Sequence, residues 1–447
     1  MIRKVSVAIL SWNGRHHLEI CLPLVLAQDD PGVEWEVLVL DNGSTDGTAA
    51  WILERFGGER RLRLIESPVN LGFCGGNNRL VGAAEGDAVV LLNNDTRPAP
   101  NWLAVLVDAL ASAPPDVAAV SGKIVNWEGD RLDFARGVMT FDGHAFQLDF
   151  RRPLDRARVP ADGEELLFAC GGNMIVRRSS FLAAGGFDES YFAYLEDVDL
   201  GWRLWQGGER VLFTPHAVIC HRSSATSDLL GSFNRGFLFE RNAFLTASKN
   251  YEAGLWERMM PAVMLTLLSR TRTMLVWNNP GASTFLVDPY SGHIANTAPA
   301  GTVPAPPVPV AAPLTPGRLA AKWKELGPRE FLRRGTAKLR SRLTPPSSPS
   351  APVPPQITDE RTTAQFRAIH NLLANLDRAA AAREAVQKWR KRSDREIFER
   401  FPLYVVPTYP GDEDLFASEG FRMWLPGDVP VVRCGLGEVM EMTEEKS

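Results

Sequence analysis

Ala88-Val89-Val90-Leu91-Leu92-Asn93-Asn94-Asp95-Thr96 is the stretch on which the reading of this chain turns. Five apolar residues run unbroken between the turn-forming Glu85-Gly86-Asp87 and Pro98. That is the pattern of a strand buried on both faces of a parallel sheet. The run stops at two amides and a carboxylate. In an open α/β sheet the ligand crevice lies at the carboxyl ends of the strands, so Asp95 falls where chemistry is expected. A hard carboxylate oxygen there suits Mg2+ or Mn2+ held against a diphosphate. The same residues also suit a plain polar turn, with Asp95 or Thr96 capping a helix. The neighbouring segments decide between the two.

Upstream, residues 5–10 read as an apolar strand ending in Ser11-Trp12-Asn13-Gly14, followed by an amphipathic helix near 18–26. A second strand over 36–40 closes on Asp41-Asn42-Gly43-Ser44-Thr45-Asp46-Gly47-Thr48. Then come a short helix to Phe56-Gly57-Gly58, a strand over 62–65, and a glycine-rich loop over 70–78 leading into a helix to 84. Strands alternating with helices of this length build a parallel sheet through right-handed crossovers. Three of the strands end in Asx-rich loops, at Asn13, at Asp41-Asn42 and at Asn93-Asn94-Asp95. Gathered on one sheet edge, these loops make a nucleotide cradle. Asp41 and Asn42 offer oxygens and an amide to ribose hydroxyls or a pyrimidine edge. Trp12 is either a stacking face for the base or a core side chain. Gly72, Gly75 and Gly76 let backbone amides approach phosphate at the head of the following helix, beside Asn77 and Asn78. The spacing differs from the dinucleotide GxGxxG and follows the third strand, which argues against a nicotinamide site.

Downstream, 117–124 reads as a strand, and 125–150 as irregular sheet additions or an acceptor-side flap. Residues 168–176 (FACGGNMIV) read as a strand broken by Gly171-Gly172, a sign of a bulge or a close ligand. Leu195, Val198, Trp202 and Trp205 recur at helical spacing, so Glu196, Asp197 and Asp199 fall in a first turn, where the helix dipole favours anions. Acids decorating a helix start are the plainer alternative, above all for Asp199. A carboxylate among the aromatics that flank Glu196-Asp197 suits a general base taking a proton from an alcohol. Two short strands over 211–214 and 217–220 deliver His221, either a structural histidine or a further metal ligand.

At 447 residues the chain has room for two or more domains, and its 45% hydrophobic content supplies a core. A net charge of −4 gives no electrostatic case for a nucleic-acid partner. The five cysteines lack CxxC spacing, which points to a reducing compartment and away from a disulfide framework or zinc site. The opening MIRKVSVAIL runs straight into a strand, and no uncharged apolar run reaches the ~18 residues of a membrane span. The expectation is a cytoplasmic protein.

Taken in order and spacing, SWNG (11–14), LDNGSTDGT (40–48), NLGFCGGNN (70–78), LLNNDT (91–96), GGFDESYFAYLEDVDLGWRL (185–204) and HRSS (221–224) resemble the family 2 glycosyltransferases. The nearest flavour is the rhamnosyltransferase-like branch that builds bacterial surface polysaccharides. The resemblance runs over residues 5–225 and implies a GT-A fold, a Rossmann-like mixed sheet. It makes Asp95 the metal-binding acid of a DxD-type motif, with Mg2+ or Mn2+ as cofactor. It sets Asp41 and Asn42 on the nucleoside with Asn13 beside them, and Gly72, Asn78 and Asn94 nearby. Asp197, with Glu196, becomes the catalytic acid pair of the ED motif, and His221 an accessory metal or phosphate ligand. Asn93 stands where the first DxD acid belongs. The QxxRW of processive synthases is absent, which favours addition of a single sugar. The implied donor is a UDP- or dTDP-linked sugar and the acceptor a glycan or lipid-linked hydroxyl. Two other classes compete: a sugar nucleotidyltransferase, which needs a basic glycine-rich loop where SWNG stands, and a silent nucleotide-sugar-binding scaffold.

With the catalytic domain over 1–225, the remainder divides by composition. Residues 226–296 read as amphipathic helices that cap the domain or lie in a membrane interface. Residues 297–360 form a Pro/Ala-rich linker. Inside it, 318–343 carries nine Lys or Arg against two Glu, with Leu, Trp and Phe interleaved. That is either a solvated basic face or an adhesive for anionic lipid on the inner face of the membrane. Residues 361–401 read as one long alanine-rich helix with a basic run at 388–392, and 402–447 as a tail with two short strands. The 361–447 region either couples to a partner or folds back on the catalytic domain.

Overall fold

The computed structural model describes residues 2–222, 231–278, 360–409 and 411–440. The Pro-rich stretches and the basic segment 318–343 lie outside the described residues, as do Ser223 and Ser224 of the HRSS motif.

β1 (Lys4–Ser11), α1 (Arg15–Leu26), β2 (Glu34–Asn42), α2 (Thr48–Phe56), β3 (Leu62–Ser67), α3 (Gly72–Ala83) and β4 (Ala88–Asn93) alternate strictly. They lay down the parallel order β3-β2-β1-β4. Ala88 to Leu92 are each 3% exposed or less. At about 1.5–3 kcal/mol for each fully buried Val or Leu, this run tolerates no polar residue until it leaves the sheet at Asn93.

The chain continues through β5 (Thr96–Pro98), α4 (Trp102–Ser112), β6 (Val117–Asn126), β7 (Leu132–Phe134), the hairpin β8 (Gly137–Met139) and β9 (Ala145–Gln147), and β10 (Glu165–Leu166). β11 (Asn173–Arg177), α5 (Arg178–Ala183), α6 (Glu196–Gln206) and β12 (Arg210–His221) follow. The main sheet reads β10-β12-β6-β11-β4-β1-β2-β3, with β11 antiparallel to both β4 and β6. This is the mixed sheet expected of the GT-A fold.

Several local expectations change. Asp95 and Thr96 cap no helix: β5 intervenes, and α4 starts after Asn101. The glycine-rich stretch is largely helix, since α3 begins at Gly72, and Gly76 packs against the Leu10 side chain, where an added Cβ would sit 2.4 Å from Cδ1. The strand expected over 168–176 starts only at Asn173; Gly171 and Gly172 precede it, and Cβ atoms there would meet Phe73 and Asn93. The two short strands before His221 are a single strand, with a register shift against β6 between Thr214 and Val218.

α7 (Gly231–Asn250) and α8 (Ala253–Asn278) follow as expected. The long helix expected over 361–401 is three: Glu360–Ala374, Leu376–Trp389 and Asp394–Phe398. Their breaks serve α6. Trp389 Nε1 donates to Arg203 O at 3.0 Å, Lys391 N to Gln206 O at 2.7 Å and Arg392 Nη1 to Trp205 O at 3.1 Å. The basic run thus adds donors to carbonyls at the end of α6, where cations are also favoured by the dipole. Asp394, 0% exposed, accepts from Trp202 Nε1, Arg390 and the Glu252 amide. The C-terminal region therefore folds back on α6. Its strands Leu403–Val405 and Val431–Arg433 pair in parallel. No helix among the described residues is long and apolar enough to cross a membrane.

Candidate active site

The carboxyl ends of β1, β2, β4 and β12 and the first turns of α3 and α6 border one cavity of about 370 Å³. Asn42, Gly72, Asn94, Asp95, Glu196, Asp197 and His221 line it, together with Trp12.

The acid pair enters on a loop in an uncommon conformation. Phe192, Tyr194 and Leu195 have φ of +65°, +72° and +64°, a region that costs non-glycine residues about 1–3 kcal/mol each unless their surroundings hold them. Asn242 of α7 holds this one, its amide donating to the carbonyls of Tyr191, Ala193 and Tyr194 at 3.1, 2.8 and 2.8 Å. Asp197 accepts from the amides of Gly171 at 3.2 Å and Val198 at 2.8 Å. Burial raises its pKa further than those two amides lower it. Glu196 is 7% exposed, with Oε2 unpartnered among the described residues. Burial, then the neighbouring Asp197 charge, push its pKa well above the usual range. A carboxylate whose basicity is raised beside a cavity is suited to accepting a proton near neutral pH. Asp199 behaves oppositely. It is fully buried against Arg203, Lys249 and Asn250, and despite burial those cations hold its pKa down.

Across the cavity, His221 Nε2 lies 3.2 Å from Asp95 Oδ1, and its Nδ1 lies 2.7 Å from Asp133 Oδ2. Burial opposes a charge on the imidazole, but the bonds to Asp133 and Asp95 prevail and raise its pKa to about 10. Among the described residues no three His, Cys, Asp or Glu side chains converge as an all-protein cation site. The Asp95 carboxylate does fit Mg2+ or Mn2+, commonly held by one or two carboxylates plus substrate phosphates; the imidazole joins it only by giving up the proton it donates to Asp95. Asp133 carries no motif. Its one sequence signal is an acid between Leu132 and Phe134 in a strand, 4% exposed once folded.

Three expected nucleotide contacts do not border the cavity. Asn13 is engaged by the next loop: its Oδ1 accepts from Thr45 N at 2.8 Å. Asp41 accepts from Ser44 N at 2.9 Å and shapes that same turn. Asn78 braces α3, donating to Phe187 O at 2.8 Å and accepting from Phe187 N at 2.9 Å. Asn42 does reach the cavity wall, yet its Oδ1 accepts from Leu71 N at 2.9 Å and its amide donates to Asn70 Oδ1 at 2.9 Å. Asn94 donates to Ser11 Oγ at 3.1 Å. At Gly72 φ is +73°, and a Cβ would lie 2.5 Å from Phe192 Cδ2.

The family model for glycosyl transferase family 2 matches residues 6–183. An N-acetylglucosaminyl-diphospho-decaprenol L-rhamnosyltransferase of Mycobacterium tuberculosis is 33% identical over 241 residues, 49% of this chain and 76% of that protein. The chain belongs to glycosyl transferase family 2. It is a glycosyltransferase. The O-antigen biosynthesis protein RfbC of Myxococcus xanthus is 32% identical to this glycosyltransferase over 200 residues, 43% of this chain and 15% of the relative. A mannosyltransferase from Pyrobaculum calidifontis, in complex with GDP-Man and Mn2+, superposes with a TM-score of 0.40 at 18% identity, covering 84% of this chain and 87% of its own.

Proposed function

We propose that this glycosyltransferase moves a single sugar, with inversion, from a UDP- or dTDP-linked donor to a hydroxyl of a glycan or diphosphate-linked lipid during surface polysaccharide synthesis. The observation that carries the reading is that Asp95 and Asp197 line the same cavity. The name of the mycobacterial relative, a rhamnosyltransferase whose substrate is a diphospho-decaprenol, supports the acceptor class.

In this reading Trp12, Asn42 and Gly72 border the nucleoside, and the diphosphate lies toward Asp95 and His221. Asp95 and His221 would hold a Mg2+ or Mn2+ ion, which would supply positive charge against the departing diphosphate. Asp197 takes the proton from the acceptor hydroxyl, and the freed oxygen attacks the anomeric carbon opposite the leaving group. One displacement inverts that carbon. Glu196 shares the proton balance of the pair, and Asp133 orients the His221 ring. The catalytic unit is 1–225, buttressed by helices from 226–296 and 361–447. The protein works in the cytoplasm, peripheral on the inner face of the membrane, where 318–343 meets anionic lipid.

The test incubates the purified full chain with Mn2+, a panel of nucleotide sugars and a diphosphate-linked acceptor, and measures released nucleoside diphosphate and glycosylated product. Release that depends on one donor and on Asp197 is expected. A chain that binds nucleotide sugar yet consumes none would instead be the scaffold.

A further inference from the structure

A second cavity of about 660 Å³ shares His221, Asp133 and Phe150 with the one holding the acid pair. Neither Asp197 nor Asn42 borders the second cavity. Its walls carry Arg131, Arg151, Arg222 and His16 against Glu128 and Asp133. Arg131 Nη1 donates to Arg151 O at 3.0 Å, which sets these two exposed arginines side by side. The Arg222 guanidinium lies 4.2 Å from the Trp127 ring centre.

His17, from the first turn of α1, also lines this space. It is 6% exposed, and its Nδ1 has no hydrogen-bond partner among the described residues. Leaving a buried ring nitrogen unpaired is unfavourable, a cost removed when a ligand atom meets it. With its proton on Nδ1 the ring donates one hydrogen bond. Three guanidinium groups and one buried donor around an open space suit a polyvalent oxyanion.

We propose that this second cavity is a diphosphate-binding subsite, in which Arg131, Arg151 and Arg222 contact phosphate oxygens and His17 Nδ1 donates to one of them. The proposal rests on the transferase reading, which supplies two diphosphates: the leaving nucleoside diphosphate and the linkage of a lipid-diphosphate acceptor.

The test titrates the full chain with inorganic pyrophosphate by calorimetry, with and without Mg2+. Saturable binding is expected, weakened about tenfold by the double variant Arg131→Ala/Arg151→Ala. His17→Gln, read in parallel, is expected to weaken it severalfold, with thermal unfolding as the folding control. Steady-state kinetics of the double variant then separate the sources. A KM for the diphosphate-linked acceptor that rises about tenfold, with the donor KM unchanged, assigns the cavity to the acceptor. A raised donor KM with weaker product inhibition assigns it to the leaving group. Pyrophosphate binding that is absent from the wild type, or the same in every variant, overturns the proposal. Pyrophosphate binding needs no turnover, so a chain that binds it yet transfers no sugar would sink the transferase reading alone.

Discussion

At its N-terminal end α6 turns Glu196 and Asp197 toward a cavity, with Glu196 Oε2 unpartnered and both pKa values raised. At its C-terminal end the carbonyls of Arg203, Trp205 and Gln206 are met by Trp389, Arg392 and Lys391. Asp199, three residues into the helix, already follows the second rule, enclosed by Arg203, Lys249 and Asn250. Along α6, the carboxylate on the packed side is paired, and those on the cavity side are left wanting a proton or a ligand. A compensated carboxylate stays ionised and inert, whereas an under-compensated one is basic enough to do chemistry.

The most severe way to break this contrast is to swap its terms. Asp197→Asn is expected to lower kcat about 10³-fold while nucleotide-sugar affinity and the unfolding midpoint barely move, as read by product assay, calorimetry and thermal melting. Asp199→Ala is expected to do the reverse. It strands Arg203 and Lys249 without their shared anion, so chemical denaturation should register a loss of about 3–5 kcal/mol. If instead Asp199→Ala melts normally and only kcat falls, the division of labour along α6 is wrong.

The paired side also makes a pH prediction. His144 lies 3.1 Å from Asp142 and 3.5 Å from Glu240, in a buried cluster that also holds Arg270. Burial opposes its charge, but the two carboxylates raise its pKa to about 9. A raised folded-state value means the stabilisation is full below the unfolded value near 6.5 and is lost as pH climbs through 9. The size is about 3 kcal/mol. Melting curves from pH 6 to 10 should show His144→Gln less stable than wild type at the acid end, the gap narrowing toward alkaline pH.

Smaller effects sharpen the cavity side. Asn242→Ala removes the amide that holds the Tyr191–Leu195 backbone, and kcat should drop about 10–100-fold with donor affinity kept; an unchanged kcat would show that the loop holds itself. Glu196→Gln removes the group whose pKa the Asp197 charge pushes up. Any limb of the kcat profile set by Glu196 should therefore vanish, with kcat at neutral pH within a fewfold of wild type. A profile identical to wild type would make Glu196 a bystander.

Much of this molecule is readable from local pattern. The run over Ala88–Asn93 announces its strand because both faces of that strand are covered, and the spacing of Leu195, Val198, Trp202 and Trp205 announces α6. That Asp95, Asp197 and His221 line one cavity was legible because each ends or begins an element that reads clearly. Asp133 was not, since a three-residue strand has too few positions to show a period. Asn13, Asp41 and Asn78 lie off the cavity lining for a shared reason: an Asx side chain at a strand end or helix start is equally suited to a ligand and to a neighbouring backbone amide. Here Thr45, Ser44 and Phe187 are those neighbours.

The sequence by itself determined the parallel half of the sheet, the edge on which the site lies and the family, because hydrophobic period and motif spacing are carried by contiguous residues. Only the tertiary structure decided which polar groups remain available to a ligand, and that the basic run at 388–392 closes the end of a helix some 180 residues upstream. Pairing depends on what arrives from elsewhere in the chain, and that meeting leaves no trace in the local order of residues.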